Sequence, residues 1–220
     1  MEMIKLSGIN KKYGDLTVYD NFDFEIKENK ILAVLGESGS GKTTLLNILS
    51  GLTDFEGDLK GKVRPVSFVF QKDRLIPNLT VRQNLELVCP EADVLSALKS
   101  VGLEDKADVY PNKLSGGQAR RVAILRAFLY PSSLLLMDEP FINLDLSLKF
   151  SLIEMIKNMQ KEAPRTVVIV THDVKEAVSV ADEIAVISAG KCIYRTEEIT
   201  KKTEDELFGL MINIHKDDNC

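Results

Sequence analysis

Eight consecutive residues decide the fold of this 220-residue chain: Gly36-Glu37-Ser38-Gly39-Ser40-Gly41-Lys42-Thr43. They follow an apolar run at residues 31–35 and precede a pattern at residues 44–49 that predicts a helix ending at Gly51. Glycines in this arrangement let successive backbone N–H groups turn inward around phosphate oxygens, and the helix N-terminus adds positive potential. We therefore predict a phosphate-binding loop, in which Lys42 reaches the β- and γ-phosphates of a nucleotide and Thr43 binds magnesium.

The remainder of the chain alternates short apolar runs with helical patterns. Continuous runs, which are typical of strands buried on both faces, lie at residues 31–35, 134–137, 167–170 and 184–187. Strands that alternate with helices predict a mainly parallel sheet with helices on both of its faces. Residues 77–111 carry helical patterns without such runs, and we interpret them as a mainly helical insertion.

A pair of carboxylates, Asp138-Glu139, directly follows one of the apolar runs. A buried strand delivers the residues after it to the carboxyl edge of the sheet, where ligands bind in open α/β folds. There Asp138 can hold the magnesium shell and Glu139 can polarise an attacking water. By itself, an acidic pair after a strand is more often a helix cap or a solvated turn. The phosphate loop in the same chain favours the catalytic interpretation.

Composition restricts the partners and the compartment. The formal net charge is −5, and no basic arm is visible, so we expect no nucleic-acid partner. The three cysteines, Cys89, Cys192 and Cys220, are widely spaced, which fits a reducing compartment better than a disulfide framework. The first residues of the sequence lack the long apolar stretch that is typical of a signal peptide, and no window approaches the roughly 18 apolar residues of a membrane span. We therefore predict a cytoplasmic protein whose connection to a membrane is made through a partner.

A third motif, Leu114-Ser115-Gly116-Gly117-Gln118, precedes a predicted helix. Ser115 can cap that helix, and the backbone amides at its start can form a second anion site. With the phosphate loop upstream and Asp138-Glu139 downstream, the chain resembles the ATP-binding cassette (ABC) family over essentially its whole length. The resemblance implies an α/β phosphate-loop NTPase core with a mainly parallel sheet and an N-terminal antiparallel β-subdomain. It also implies a single ABC ATPase domain spanning residues 1–220, with a helical subdomain at about residues 77–130.

The resemblance assigns roles to further residues. Tyr13 is similar to the aromatic residue that stacks on adenine, and Gln71 to the glutamine that touches magnesium and water and links to the permease. His172 resembles the histidine that contacts the γ-phosphate, and Asp145 the aspartate that crosses to the partner subunit. Lys42, Gln71, Glu139 and His172 are thus the predicted catalytic set, and Thr43, Gln71 and Asp138 the predicted metal set. Nucleotide contacts are expected from Tyr13, Gly36, Glu37, Ser38, Gly39, Ser40, Gly41, Lys42, Thr43, Thr44, Ser115, Gly116, Gly117, Gln118 and Asp145.

The family resemblance also implies a working cycle. Two cassettes close head to tail around two MgATP molecules, so that each phosphate loop faces Ser115-Gly116-Gly117 of the other subunit. Closure and hydrolysis drive a transmembrane permease. The implied partners are that permease and a second ABC subunit, most simply an identical one, with an extracytoplasmic solute-binding protein as a further candidate. The implied location is the inner face of the cell membrane, as a peripheral protein.

Two features favour import of a small solute over export. Phe141 follows Asp138-Glu139-Pro140 as it does in importers, and residues 70–81 resemble the nitrate, sulfonate, taurine and pyrimidine-precursor importers. The alternatives are an exporter subunit, a soluble ABC ATPase outside transport, and a regulatory module that does not hydrolyse ATP. The chain departs from the family at several points. Asn78 stands where an aromatic residue is usual after the proline of these importers, and Leu125 where alanine is usual in the signature helix. The chain also has Ile142-Asn143 where Ser-Ala is common before Leu-Asp, and Asn29 where glycine is common; asparagine also tolerates a left-handed turn.

Overall fold

The computed structural model describes residues 3–217, so Cys220 lies outside it. The strands are β1 Met3–Tyr13, β2 Leu16–Lys27, β3 Ile31–Leu35, β4 Glu56–Lys60, β5 Val66–Val69, β6 Leu134–Asp138, β7 Thr166–Thr171, β8 Glu183–Ser188 and β9 Lys191–Thr196. The helices are α1 Lys42–Ser50, α2 Val81–Glu86, α3 Val94–Ser100, α4 Gly116–Leu129, α5 Leu146–Glu162, α6 Val174–Val180 and α7 Lys201–Asp217. Short 3-10 turns lie at Glu104–Lys106 and Pro111–Lys113.

The larger sheet has six strands in the order β5-β6-β7-β3-β8-β9. Neighbouring strands from β5 to β8 run parallel, and only the edge strand β9 is antiparallel to its neighbour. The predicted mainly parallel sheet is therefore confirmed. Since parallel strands end at the same edge, the residues that follow β5, β6, β7 and β3 are brought side by side.

A second sheet of three antiparallel strands, in the order β2-β1-β4, confirms the predicted β-subdomain. The third strand of this sheet, β4, follows α1 in the chain. Its residues are mainly exposed and show no apolar alternation, so the sequence alone does not predict it. Asn29, in the turn between β2 and β3, has a φ of 60°. The left-handed turn expected at this position is thus formed by asparagine.

Alternate residues of the central strands point into different layers of the core. Leu134 and Leu136 of β6 pack in one apolar cluster with α1 and the antiparallel sheet. Leu135 and Met137, on the opposite face, pack in a second cluster with α4 and α5. All four side chains are fully buried, and each such burial contributes roughly 1.5–3 kcal/mol. The continuous apolar run at 134–137 reflects this burial on both faces.

Residues 77–130 contain α2, α3, the two 3-10 turns and α4, and no strand lies among them. The apolar residues Val81, Leu85 and Leu98 belong to the same core cluster as Leu135 of the sheet. The segment is therefore packed directly against the sheet, and its division as a separate helical subdomain stays a prediction. Within the part of the chain that the structure describes, no helix has both the length and the apolar character needed to cross a bilayer.

Candidate active site

The residues that follow four adjacent strands meet at one edge of the larger sheet. Gln71 follows β5, Asp138 ends β6, His172 follows β7, and the phosphate loop follows β3. Together they surround a cleft of about 460 Å³. Its lining comprises Tyr13, Leu16, Val18, Ser38, Gly39, Gly41, Lys42, Thr43, Thr44, Gln71, Asp138, Glu139, Ile142 and His172.

Two glycines of the phosphate loop, residues 36–43, lie where close approaches leave no room for a side chain. A Cβ at Gly36 would lie 2.2 Å from the carbonyl oxygen of Ile187. At Gly41, φ is 108° and a Cβ would lie 2.9 Å from Oη of Tyr19. The Tyr19 hydroxyl donates a hydrogen bond of 2.9 Å to the Gly41 carbonyl. Gly41 precedes α1 and offers no side chain to cap its first amides, so these amides are suited to an anion.

Lys42 is buried within this loop. Its Nζ donates to the carbonyl oxygens of Gly36 and Glu37, each at 2.7 Å. Burial lowers the pKa of Lys42, while the carboxylates of Glu139, Asp138 and Glu37 act in the opposite direction. The nearby acids thus favour the charged ammonium, the form that phosphate oxygens recognise.

Asp138 and Thr43 form the polar floor of the cleft. The Thr43 hydroxyl lies 3.4 Å from both carboxylate oxygens of Asp138. Burial raises the pKa of Asp138, the adjacent Glu139 raises it further, and Thr43 and Lys42 oppose the rise. A hydroxyl, a carboxylate and the Gln71 amide are the hard oxygen donors that Mg2+ prefers. Because a cation would offset the unfavourable charge on Asp138, the donor set fits magnesium.

Glu139 and His172 face each other beside this floor. Nδ1 of His172 lies 3.0 Å from one carboxylate oxygen of Glu139 and 3.1 Å from the other. The backbone of Glu139 is left-handed, with φ of 47°, and its N–H donates to the carbonyl of Val170 at 3.0 Å. A non-glycine residue in this conformation is held by its surroundings, and such residues cluster at functional sites.

Three lining residues, Leu16, Val18 and Ile142, were missed by sequence reasoning. Leu16 lies directly opposite Tyr13 in the hairpin of β1 and β2, and Val18 is two residues further along the same strand. The pairing of Leu16 with Tyr13 could have been predicted from the sequence, because the turn residue Gly14 directly follows Tyr13 and favours a hairpin there. An apolar wall beside the half-exposed Tyr13 ring suits a flat heterocycle.

The signature segment, residues 114–118, lies outside this cleft. Ser115 and Gln118 form a capping box at the start of α4: the Ser115 hydroxyl accepts from the Gln118 N–H at 3.2 Å, and the Gln118 side chain accepts from the Ser115 N–H at 2.9 Å. Asp145 is also outside the cleft and caps α5 through the Leu148 N–H at 3.0 Å. Of the predicted site residues, Gly36, Glu37, Ser40, Ser115, Gly116, Gly117, Gln118 and Asp145 therefore do not line the cleft.

Comparison with known proteins identifies this arrangement. Residues 19–142 match the family described as "ABC transporter". The chain belongs to the ABC transporter family. It is an ATP-binding cassette and an ATPase, and its substrate and metal are ATP and Mg2+.

Curated relatives of this cassette carry import functions in their names. The aliphatic sulfonates import ATP-binding protein SsuB 3 of Paraburkholderia xenovorans (strain LB400) is 40% identical over 193 residues, which cover 86% of this chain and 78% of that protein. The probable sulfate/thiosulfate import ATP-binding protein CysA of Chlorella vulgaris is 37% identical over 210 residues, which cover 86% and 89% of the two chains.

Solved cassettes have the same fold. The dimeric structure of MJ0796, a bacterial ABC transporter cassette, matches with a TM-score of 0.76 and 32% identity, over 88% of this cassette and 97% of that chain. The cbiO1 protein of Clostridium perfringens, described as part of the ABC transporter complex cbiONQ, matches with a TM-score of 0.81 and 25% identity. This alignment covers 94% of this cassette and 91% of that chain.

Proposed function

We propose that this cassette works as one half of an ATP-closed dimer that drives a membrane permease for the import of a small solute. The observation that carries the proposal is the separation of the signature segment from the cleft that holds the other motifs. The signature segment is a predicted anion site, but it lies away from the phosphates of its own subunit. Its position is explained if it contacts the nucleotide that is bound by a second subunit. The dimeric MJ0796 cassette, whose fold this chain shares, supports this assembly.

Gly116 supports an intermolecular role for the signature segment. Gly116 is exposed, and a Cβ there would meet no heavy atom within 4 Å. The subunit's own fold therefore does not require glycine at this position. At Gly117, by contrast, a Cβ would lie 2.3 Å from Cδ2 of Leu148. A glycine that its own chain does not need is suited to the close approach of another molecule.

The chemistry we propose is positioning and charge neutralisation. Lys42 and the amides of the phosphate loop hold the β- and γ-phosphates, and Tyr13 stacks on the adenine. Asp138, Thr43 and Gln71 hold Mg2+, which supplies charge neutralisation at the phosphates when bound. Glu139 orients the attacking water and accepts its proton. His172 restrains the Glu139 carboxylate and contacts the γ-phosphate.

The proposed direction of transport is inward, and the proposed location is the inner face of the membrane. The relatives SsuB 3 and CysA are named as import ATP-binding proteins, and cbiO1 is described as part of a transporter complex. The permease and any solute-binding protein choose the cargo, because the cassette itself makes no contact with it. Residues 71–81 are the proposed surface through which the cassette moves the permease.

Complementation between two inactive variants tests the composite site. Lys42→Ala damages the phosphate loop and keeps the signature segment, whereas Ser115→Arg does the reverse. Mixed in equal amounts, the variants can pair through one intact joint, between the signature segment of Lys42→Ala and the phosphate loop of Ser115→Arg. Each such dimer carries one complete site of two, so activity should recover to at most about one half of the wild-type value. Lack of recovery at every ratio, from two folded variants of which Ser115→Arg still binds ATP, would contradict the proposed dimer. For the permease, purification from membranes followed by solute uptake in vesicles tests coupling and direction.

A further inference from the structure

Two arginines of α4 reach out of the helix and bind the loop that follows β5. Arg120 is buried, with 5% of its surface exposed. Its Nη1 donates to the carbonyl oxygen of Phe70 at 2.8 Å, and its Nη2 donates to the carbonyl oxygen of Gln71. Its Nε lies 3.0 Å from the Asp73 carboxylate. One guanidinium therefore contacts three residues of this loop in a fixed fork geometry.

Arg126, further along the same helix, binds the other half of the loop. Its Nη2 donates to the carbonyl oxygens of Arg74 at 3.1 Å and of Asp73 at 3.4 Å. The guanidinium of Arg74 in turn lies over the Phe70 ring, 3.6 Å from its centroid. We call Arg120 and Arg126 together the arginine clasp. The clasp donates hydrogen bonds to four of the backbone carbonyls of residues 70–74. Gln71 lies inside the clasped segment.

The clasp makes this loop follow α4. Hydrogen bonds from a charged donor are about twice as strong as neutral ones, and Arg120, which donates two of them, is itself buried. A displacement of α4 therefore moves the loop with it. The same helix begins with Gly116, four residues before Arg120, at the segment proposed to meet the partner's nucleotide.

We propose that Arg120 is a positioning residue for Gln71, and that through it the signature segment of one subunit controls the Gln71 amide in that subunit's own cleft. This inference rests on the proposed function of Gln71 as a ligand of magnesium and water. When the partner's nucleotide draws Ser115 and Gly116 inward, Arg120 carries the main chain of Gln71 in the same direction. The two sites of the dimer are thereby linked within each subunit by a single side chain.

A purely structural role for Arg120, as the counter-ion of the half-buried Asp73, makes different predictions. Arg120→Lys keeps the positive charge beside Asp73 but replaces the fork by one ammonium, which cannot serve both carbonyls in the same geometry. Asp73→Asn removes the ion pair and leaves both carbonyl contacts in place. A positioning role predicts damage from the first substitution, and a structural role predicts damage from the second.

The experiment is a double-mutant cycle on Mg2+-dependent ATP hydrolysis by the full chain. We expect Arg120→Lys to lower kcat about tenfold, because small displacements of a catalytic group have large effects on rate, with the KM for MgATP changed less than about twofold. In a Gln71→Ala background the same substitution should lower kcat by less than about twofold, since its effect is exerted through Gln71. Asp73→Asn should keep kcat within about twofold of wild type.

Arg121→Lys is the matched control, because Arg121 is the next residue of α4 but bonds to Ser151 at 3.0 Å, away from the loop. It should leave kcat unchanged. Should Arg120→Lys not fold, Arg120→Gln combined with Asp73→Asn removes both charges of the pair together and should show the same dependence on Gln71. If the Arg120 substitution lowers kcat equally with and without Gln71, the positioning role of Arg120 is wrong, while the proposed function is unaffected. If Gln71→Ala itself leaves kcat unchanged, the proposed role of Gln71 fails and the inference falls with it.

Discussion

His172 and Glu139 are in direct contact: Nδ1 of the imidazole lies 3.0 Å from Oε1 of the carboxylate, although the two residues are 33 positions apart in the chain. The contact arises because β6 and β7 are adjacent parallel strands that deliver the residues after them to the same edge of the sheet. With a proton on Nδ1, the imidazole donates to the carboxylate and restrains its direction. The proposed base of the reaction is therefore oriented by a neighbouring strand.

Replacement of this base should separate ATP binding from hydrolysis. Glu139→Gln keeps the shape of the side chain but removes the charge that orients and activates water. We expect hydrolysis to fall by at least about a hundredfold, while ATP remains bound and the variant accumulates as a dimer. Sedimentation with MgATP, with MgADP and without nucleotide measures the effect, and only the MgATP sample should contain the dimer.

Substitution at Ser115 provides the control for that dimer. Ser115→Arg in the Glu139→Gln background places bulk at the proposed joint and should abolish the dimer. Because Ser115 also caps α4, its loss alone costs about 1 kcal/mol. Ser115→Ala removes the cap without adding bulk and should therefore lose that stability but keep more of the dimer. Monomers in all three nucleotide conditions would rule out the dimer for the isolated subunit.

The neighbouring glycines of the signature segment should respond differently to alanine. At Gly116 the added Cβ meets no heavy atom within 4 Å, so Gly116→Ala should stabilise the monomer by roughly 0.4–1 kcal/mol by lowering the conformational entropy of the unfolded chain. It should nevertheless weaken the MgATP-dependent dimer of Glu139→Gln. Gly117→Ala should stabilise the monomer less, because its Cβ would lie 2.3 Å from Cδ2 of Leu148 and this side chain would have to turn aside. An unchanged dimer affinity in Gly116→Ala would argue against close approach at this glycine.

Lys42→Ala should weaken nucleotide binding. The substitution removes a buried ammonium from a loop proposed to hold phosphates, and charge-assisted hydrogen bonds of this kind contribute about 1.5–3 kcal/mol. Titration calorimetry with MgATP measures the loss directly. Lys99→Ala, which removes an exposed lysine at the end of α3, should leave the affinity unchanged. Equal affinity of Lys42→Ala and wild type would exclude the phosphate role.

The ion pair of Lys149 and Glu176 should make stability depend on pH in the alkaline range. Lys149 Nζ lies 2.6 Å from the buried Glu176 carboxylate and 3.6 Å from Asp173. The hydrogen bond to Glu176 is the main cause that raises the pKa of Lys149 above its ordinary 10.5; the charges of Glu176 and Asp173 add to it, and burial opposes it. The folded state therefore binds this proton more tightly than the unfolded state does. The resulting stabilisation is complete below the ordinary pKa and disappears as the pH rises through the raised pKa.

Lys149→Met should thus lower the free energy of unfolding by about 1.5–3 kcal/mol at neutral pH, and the difference from wild type should shrink above about pH 10.5. Urea unfolding at both pH values measures it. Lys161→Met, an exposed position on the same helix, controls for general effects of removing a lysine. A difference that stays constant with pH would mean that Lys149 acts by packing alone.

Ile76 should connect the cassette to its permease. The loop around Ile76 is held by the buried Asn84, whose side chain accepts from the Ile76 N–H at 2.8 Å and donates to its carbonyl at 3.1 Å. The Ile76 side chain is itself exposed, whereas Leu75 packs against the core. Ile76→Glu should therefore spare ATP hydrolysis by the isolated subunit and abolish transport in vesicles that contain the permease. Leu52→Glu, at an exposed leucine outside residues 71–81, should transport normally, and transport by Ile76→Glu at the normal rate would place the coupling surface elsewhere.

The phosphate loop, the acidic pair and the signature segment were determined by the sequence alone. Each is a run of adjacent residues whose backbone or side chains act together, so its chemistry can be inferred without knowing the distant parts of the chain. Asp138-Glu139 at the end of a four-residue apolar run is an example, because the strand that presents the acids and the acids themselves are contiguous. The fold class follows from the same runs, since their continuous apolar character is required by burial on both faces.

Only the tertiary structure decided which distant residues meet. The strand β4 has mainly exposed residues and follows α1 in the chain, yet it pairs with β1. In the same way, Leu16, Val18 and Ile142 line the cleft although no motif includes them. Arg120 likewise bonds to the carbonyls of Phe70 and Gln71, about fifty positions earlier in the chain. Contacts of this kind depend on strand order and on the packing of whole elements. A backbone carbonyl accepts in the same way at every residue, so no local pattern in the sequence marks the carbonyls that a distant arginine will bind.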